Sequence, residues 1–391
     1  MLNGIRVVDF SRYLPGPYAA LRLADMGAEV IQVEQPPFGD PARLVGDQSK
    51  GTGLIYLANN RNKKSVTINL KETEGRQLAF QLACRADVVI ESFRPKVAAA
   101  LGIGYEELSR ERPELVYCSL TGYGQTGPLS DLAGHDLNFQ ALSGLLSQLK
   151  DEEGRPVQPG VQFGDLIGGI AASEAILAAL VKRGLTGKGT YLDISLTDAL
   201  IGLLNTHTLI REVTGYTDGV PELGGELISY RIYETRDQKF VGLAALEEKF
   251  WQNFCRGVGR EDWIAAHVSR ATSENPVYLQ VKELFQSRTQ AEWSQFSHKV
   301  DCCLTPVLEI GEVIQHPHVQ AKVLAFVRHT QRWGDLIQTD TSAGGYDPGR
   351  STSGMAFAPP PAAGEHTEEV FRSVLSVASE QMTDWKRRGM I

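Results

Sequence analysis

A histidine and an aspartate carry the residue types of acid/base chemistry in this chain. His135 lies in Gly134-His135-Asp136-Leu137-Asn138, and Asp165 in Phe163-Gly164-Asp165, ahead of the apolar run Leu166-Ile167-Gly168-Gly169-Ile170. Imidazole titrates near neutral pH. A carboxylate beside glycine can be approached closely by a backbone or a ligand. Brought together by a fold, the two could work as a pair of acid/base groups, or the aspartate could act as a nucleophile. The plainer reading is two helix caps. Asp136 reads as the N-cap of a helix carrying 137–146. His135 then sits just ahead of a positive helix end, which favours neutral imidazole. Asp165 precedes a second helix, 166–182. That N-terminus stabilises the carboxylate as the anion and offers N–H groups to a developing oxyanion.

The elements that must position these residues are those of an α/β protein. Residues 5–10 read as a strand, 18–26 as a helix ending at Gly27, and 28–34 as a second strand stopped by Pro36-Pro37, together a parallel βαβ unit. The first turn has one glycine between prolines rather than the three-glycine dinucleotide fingerprint. Further strands are expected at 66–70, 86–91, 115–120 and 190–195, with helices at 72–84 and 197–212. Gly122-Tyr123-Gly124-Gln125-Thr126-Gly127 is a literal G-x-G-x-x-G, but Pro128 follows and no helix opens there, so it reads as a flexible loop beside a pocket. Asn59 to Ser65 holds three cations and three amides, Arg61, Lys63 and Lys64 among them. That composition suits a phosphate-binding surface or a plain solvated loop. Phe93-Arg94 follows the 86–91 strand at its carboxyl end, where open α/β sheets bind ligands. Beyond a glycine-rich stretch near 214–225, residues 229–234 and 239–244 form a hairpin, and Glu247 follows it. A crossing segment rich in Pro, Gly and Ala spans 348–364.

At 391 residues the chain is longer than one core usually holds. Three segments are expected: a large domain over 1–213, a small domain over 226–325, and a return to the large domain over 326–391. Five cysteines without metal spacing read as reduced thiols, and no metal site is expected. The net charge of −8 argues against nucleic acid as the main partner. No apolar run reads as a membrane span and the N-terminus has no signal-peptide layout, so a cytoplasmic protein is expected.

Several stretches together resemble the family III CoA-transferases (CaiB/BaiF), a group that includes the α-methylacyl-CoA racemases. They are Leu2-Asn3-Gly4-Ile5-Arg6-Val7-Val8-Asp9, Leu23-Ala24-Asp25-Met26-Gly27-Ala28-Glu29-Val30-Ile31, Asn60-Arg61-Asn62-Lys63, Glu91-Ser92-Phe93-Arg94-Pro95, the glycine loop with Pro128, Phe163-Gly164-Asp165 and Gly187-Lys188-Gly189. The resemblance implies a Rossmann-like large domain with a parallel sheet, a smaller α+β domain, and a homodimer interlocked like linked rings. It implies coenzyme A or an acyl-CoA as substrate, with Arg61, Lys63, Lys64, Phe93, Arg94 and Gly134 as contacts. Asp165 matches the catalytic carboxylate. In transferases that group attacks the thioester to form an acyl anhydride. In racemases it shares the α-proton with the histidine of a Gly-His-Asp motif, matched here by His135, and a glutamate matched by Glu247 pairs with that histidine. The short glycine loop Gly224-Gly225-Glu226 leans towards racemase, and Gln140 towards transferase. The resemblance therefore implies racemisation of 2-methylacyl-CoA thioesters through His135 and Asp165. The alternatives are CoA transfer through Asp165 and a CoA-ester binder without turnover.

Overall fold

Val7 and Val8 point to opposite faces of one sheet, and both faces are covered. That is why the strands are nearly continuous apolar runs. The structure, a computed structural model, describes residues 1–151, 153–341 and 357–391. The part of the expected crossing segment over 348–356 lies outside the described residues, as does Glu152. The chain divides into two units, Met1–Leu203 with His318–Ile391, and Leu204–Pro317.

In the first unit β1 (Arg6–Asp9), α1 (Pro15–Asp25) and β2 (Glu29–Glu34) open the chain, and β1 pairs parallel with β2, Val7 opposite Val30. A small ribbon, β3 (Gln48–Ser49) and β4 (Thr52–Gly53), leads through α2 (Leu54–Asn59) to β5 (Lys63–Thr67). α3 (Thr73–Ala83), β6 (Val88–Glu91), α4 (Val97–Ala100), α5 (Tyr105–Glu111) and β7 (Val116–Thr121) follow. Then come α6 (Asp136–Leu142), α7 (Phe163–Thr186), β8 (Thr190–Ser195) and α8 (Leu196–Leu203). The six-stranded sheet has the order β5-β2-β1-β6-β7-β8, and every pair is parallel. One face packs Val7, Val30, Val88 and Ile90 against the α1 and α7 residues Leu23 and Ile176. The other packs Val8, Ile31 and Val89 against α3 and, after the chain returns, Val370, Phe371 and Trp385.

In the second unit, α9 (Asn205–Thr214) precedes the antiparallel strands β9 (Tyr230–Glu234) and β10 (Phe240–Ala244). α10 (Glu248–Gly257), α11 (Pro276–Gln286) and α12 (Gln290–Ser297) pack on them, and β11 (Leu304–Pro306) completes a three-stranded sheet. Its core is aromatic, with Trp251, Phe254, Phe285 and Trp293 fully buried. α13 (Ile310–Gln315) ends this unit, and α14 (Pro317–Ala321) carries the chain back. There it forms the ribbon β12 (Ala325–Thr330) and β13 (Gly334–Thr339), then α15 (Thr367–Leu375) and α16 (Ser379–Arg387).

Four expectations are corrected. The strand expected at 66–70 begins at Lys63, because the Lys63 and Lys64 positions pair with Val30 and Ile31 of β2. The helix expected over 197–212 is two helices, α8 and α9. The helix expected over 137–146 starts one residue after His135, which is itself the N-cap, and stops at Leu142. Finally, α7 runs 24 residues and is long and apolar enough to cross a membrane by length and composition. Here Gly168, Gly169, Ala172 and Ile176 of one face are buried, the pattern of a core helix. The free cysteines are buried at 118, 255 and 302 and partly buried at 84 and 303.

Candidate active site

The carboxyl ends of β1, β6 and β7 open into a cavity of about 1070 Å³ in the first unit. His135, Asn138 and Asp165 line it, with Arg12, Arg94 and Tyr123. The excursion after β2 supplies part of the wall through Ala42, Leu54 and Ile55. Parallel sheets place ligands at this edge because the strand-to-helix turns leave a crevice there.

Glycine makes the α6–α7 corner possible. A Cβ on Gly164 would lie 3.0 Å from Asp136 Oδ1, so any larger residue there would press on the Asp136 carboxylate. A Cβ on Gly134 would lie 2.7 Å from the Phe139 ring, and one on Gly122 would lie 2.3 Å from it. Gly122 of the G-x-G-x-x-G stretch is thus a notch for Phe139. That stretch is also tethered rather than flexible: the Gln125 N–H donates to both Asp193 oxygens at 3.0 and 3.1 Å. The carboxamide of Gln125 reaches the Phe93 carbonyl at 3.3 Å.

His135 is exposed at the cavity wall, and its N–H donates to the Asn138 carboxamide oxygen at 3.0 Å. Asp165 lies in the first turn of α7, half-buried. Its own N–H donates to Asp136 Oδ1 at 3.1 Å. The helix end was expected to hold Asp165 ionised. Instead burial, reinforced by the Asp136 charge, pushes it up to about 7. The helix dipole is a surface-sized effect, and desolvation of a charge outweighs it.

Of the residues expected to hold coenzyme A, Arg94 and Gly134 line the cavity, and Arg94 is exposed. Phe93 does not line it. Its N–H donates to Glu91 at 2.7 Å, and the Arg12 guanidinium stacks 5.5 Å from its ring. The cationic stretch is neither a solvated loop nor an open phosphate surface. Arg61 is 2% exposed and clasps Asp25. Lys63 is 2% exposed and donates to Pro17 O at 2.8 Å and Asn60 Oδ1 at 2.7 Å. Lys64 is half-buried between Glu29 at 3.0 Å and Glu369 at 2.8 Å. The physical reason is the earlier start of β5, which takes both lysines into the sheet edge and brings acids distant in sequence beside them. Glu247 is exposed at the N-cap of α10 in the second unit. Gln140 is buried and is not among the lining residues; its amide reaches Asp136 Oδ2 at 2.5 Å.

Sequence reasoning missed Arg12. It lines the cavity, its guanidinium 5.5 Å from the centre of the Phe93 ring. The available signal was its place in the turn after the first parallel strand. Among the described residues, no three of His, Cys, Asp and Glu cluster as metal ligands would.

The chain matches the family model for CoA-transferase family III over residues 2–367. It is 31% identical to the succinyl-CoA:glutarate CoA-transferase of Homo sapiens over 398 residues, covering 100% of this chain and 90% of that one. It is 31% identical to the alpha-methylacyl-CoA racemase of Homo sapiens over 376 residues, covering 94% and 92%. The crystal structure of a CAIB/BAIF family protein from Brucella suis superposes with a TM-score of 0.80 at 26% identity, covering 94% of this chain and 98% of that one. With its six-stranded parallel sheet, the cavity at the sheet's carboxyl edge and a family match across nearly its whole length, the chain belongs to CoA-transferase family III and is an enzyme of the racemase or CoA-transferase type.

Proposed function

We propose that the enzyme racemises or epimerises 2-methylacyl-CoA thioesters by exchanging the α-proton between His135 and Asp165. The observation that carries this reading is the pairing of an imidazole with a carboxyl raised to about 7 in one cavity. A general base and a general acid on the walls of one cavity can remove and return a proton at the same carbon. The thioester acidifies the α-carbon. One group removes the proton, and the other returns a proton on either face of the enolate. Of the N–H groups in the first turn of α7, those of Phe163, Asp165 and Leu166 are already bonded, to Val161 O, Asp136 Oδ1 and Gln162 O, so among the described residues the Gly164 N–H is left to carry enolate charge. Arg94 and Arg12 suit the phosphates of coenzyme A, because guanidinium binds phosphate in a bidentate fork. Glu247 keeps the role that the resemblance implies, to be tested by Glu247→Gln.

The second reading is CoA transfer, with Asp165 attacking the thioester carbonyl, the CoA thiolate leaving, and an acyl anhydride forming. A relative named as a CoA-transferase matches the full chain at the same identity as one named as a racemase, which supports this alternative equally. In either reading the protein works in the cytoplasm as an interlocked homodimer, without nucleic acid or membrane. α9 has no buried residue in its own unit and exposes Leu209 and Val213, apolar surface suited to a second copy.

The test is α-proton exchange. The protein is incubated with a single enantiomer of a 2-methylacyl-CoA in deuterated buffer without free acid, then analysed by mass spectrometry and chiral separation. Deuterium at the α-carbon with loss of stereochemical purity is the expected result. No exchange, with transfer to an added acid and hydroxylamine trapping of an acyl group on Asp165, overturns it in favour of the transferase.

A further inference from the structure

Asp136 follows His135 in sequence and accepts the Asp165 N–H, and the chemistry above leaves it without a task. Its two oxygens have different duties. Oδ1 accepts the N–H of Asp165 at 3.1 Å, and Oδ2 accepts the Gln140 amide at 2.5 Å. The same Gln140 nitrogen reaches the Val161 carbonyl at 3.4 Å, two residues before α7 begins. Gln140 is 1% exposed, and its Oε1 has no partner among the described atoms, so the amide is held by what its nitrogen donates to. One carboxylate therefore joins the start of α6 to the start of α7, across the notch that Gly164 leaves open.

We propose that Asp136 is a positioning residue for Asp165: its carboxylate holds the first turn of α7 against α6 and keeps a fixed negative charge beside the reacting carboxyl. This rests on the assignment of Asp165 as the reacting group. Such a charge disfavours a second one nearby, so Asp165 keeps its proton to higher pH than burial alone would require. Among the described residues no cation stands within ion-pair distance of Asp165. α6 brings His135 as well as Asp136. The turns after β1, β6 and β7 bring Arg12, Arg94 and Tyr123 to the same cavity. α1 brings Tyr18 against Gly169 and Arg22 against Ser173, and α8 carries the exposed Asp198. Beyond burial, only Asp136 shifts Asp165. Two other carboxyls near this end of the sheet titrate near neutrality, Asp40 at about 6 and Glu91 at about 7. Neither lines the cavity, and each is bonded elsewhere: Asp40 accepts the Tyr13 and Ala42 N–H groups, and Glu91 accepts from Ser119 and the Phe93 N–H.

The test is Asp136→Asn in the full-length protein, which keeps an oxygen acceptor for Asp165 N–H and removes the charge. Carbon-13 labelled aspartate reports the titration of Asp165 by NMR, its signal assigned by loss in Asp165→Asn. The expected result is that Asp165 titrates at lower pH in Asp136→Asn than in the wild type, with Asp40 unmoved. The kcat–pH profile of α-proton exchange should move the same way, while KM for the acyl-CoA stays within about twofold. If Asn does not fold, Asp136→Thr also removes the charge and keeps an oxygen at a helix start. Equal Asp165 titration in variant and wild type overturns the proposal. Absence of α-proton exchange in the wild type would instead sink the racemase assignment, and the NMR titration would still decide the role of Asp136.

Discussion

Two aspartates near the carboxyl end of the same sheet, one fully buried and one half-buried, meet opposite surroundings. Asp9, at the end of β1, is fully buried. It accepts the Ser11 N–H at 2.9 Å and the Ser11 hydroxyl, and Lys63 stands 3.8 Å away. Around it, Glu34 is held by both arms of Arg43 at 2.7 Å, and Asp25 by Arg61. Asp165, at the start of α7, has no cation within ion-pair distance among the described residues. Its charged neighbour is another acid, and it opens on a cavity. Burial raises both carboxyls. At Asp9 the lysine and serine oppose the rise; at Asp165 no cation and no side-chain donor does. A buried charge with its counter-ion holds a structure together. A buried charge without one is costly to maintain, and that cost makes sense where the group must take up and release a proton.

The largest expected effect breaks the first region. Arg61→Ala leaves Asp25 buried without its cation and is expected to cost about 3–5 kcal/mol in chemical denaturation, the usual range for removing one partner of a buried pair. The KM of the folded enzyme for acyl-CoA should not change. A raised KM with unchanged stability would return Arg61 to the binding surface. The next effect has the opposite sign. Asp165 is raised from 3.8 to about 7, so the folded state binds its proton more tightly than the unfolded state. Stability from this group is full below pH 4 and falls as pH rises towards 7. Asp165→Asn should therefore stabilise the protein by roughly 2–4 kcal/mol at pH 8, with the gain vanishing near pH 4, while abolishing turnover. Thermal melts at the two pH values decide it; a pH-independent difference would mean that folding does not shift the carboxyl. The third effect concerns binding. Arg94→Gln removes an exposed cavity guanidinium and should raise KM for acyl-CoA about tenfold with Tm unchanged, the worth of one charge-assisted contact to phosphate. An unchanged KM would leave Arg94 a bystander.

How much of this could be read from the residues follows from how local each signal is. The apolar strands at 88–91 and 116–121 were legible because both faces of a parallel sheet are covered, so their composition alone marks them. His135 and Asp165 stood out by their glycine neighbours, and both reach the cavity. The burial of Arg61 and Lys63 was not legible. It depends on Asp25 and Asp9, tens of residues away, and on a strand that starts among the charges themselves. For the same reason the role of Asp136 escaped notice. As a presumed N-cap it had a sufficient local explanation, whereas its contact with the Asp165 N–H spans 29 residues. The rise of the Asp165 carboxyl is not legible in the sequence, because a helix end is visible there and desolvation is not.

Lys64 tests the comparison at its edge. It is the least buried of the three cations in the 61–64 stretch, its side chain 32% exposed, with Glu29 and Glu369 as partners. Because both partners are also partly solvated, the ion pairs are screened and the side chain gives up entropy to hold them. Lys64→Ala should therefore cost no more than about 1 kcal/mol and leave KM for acyl-CoA unchanged. A stability loss as large as that of Arg61→Ala would make Lys64 part of the buried ionic framework. A tenfold rise in KM with unchanged Tm would instead show that these carboxylates release the ammonium to a phosphate when substrate arrives. The division between cations that build the sheet edge and cations that meet the ligand would then run through Lys64 itself.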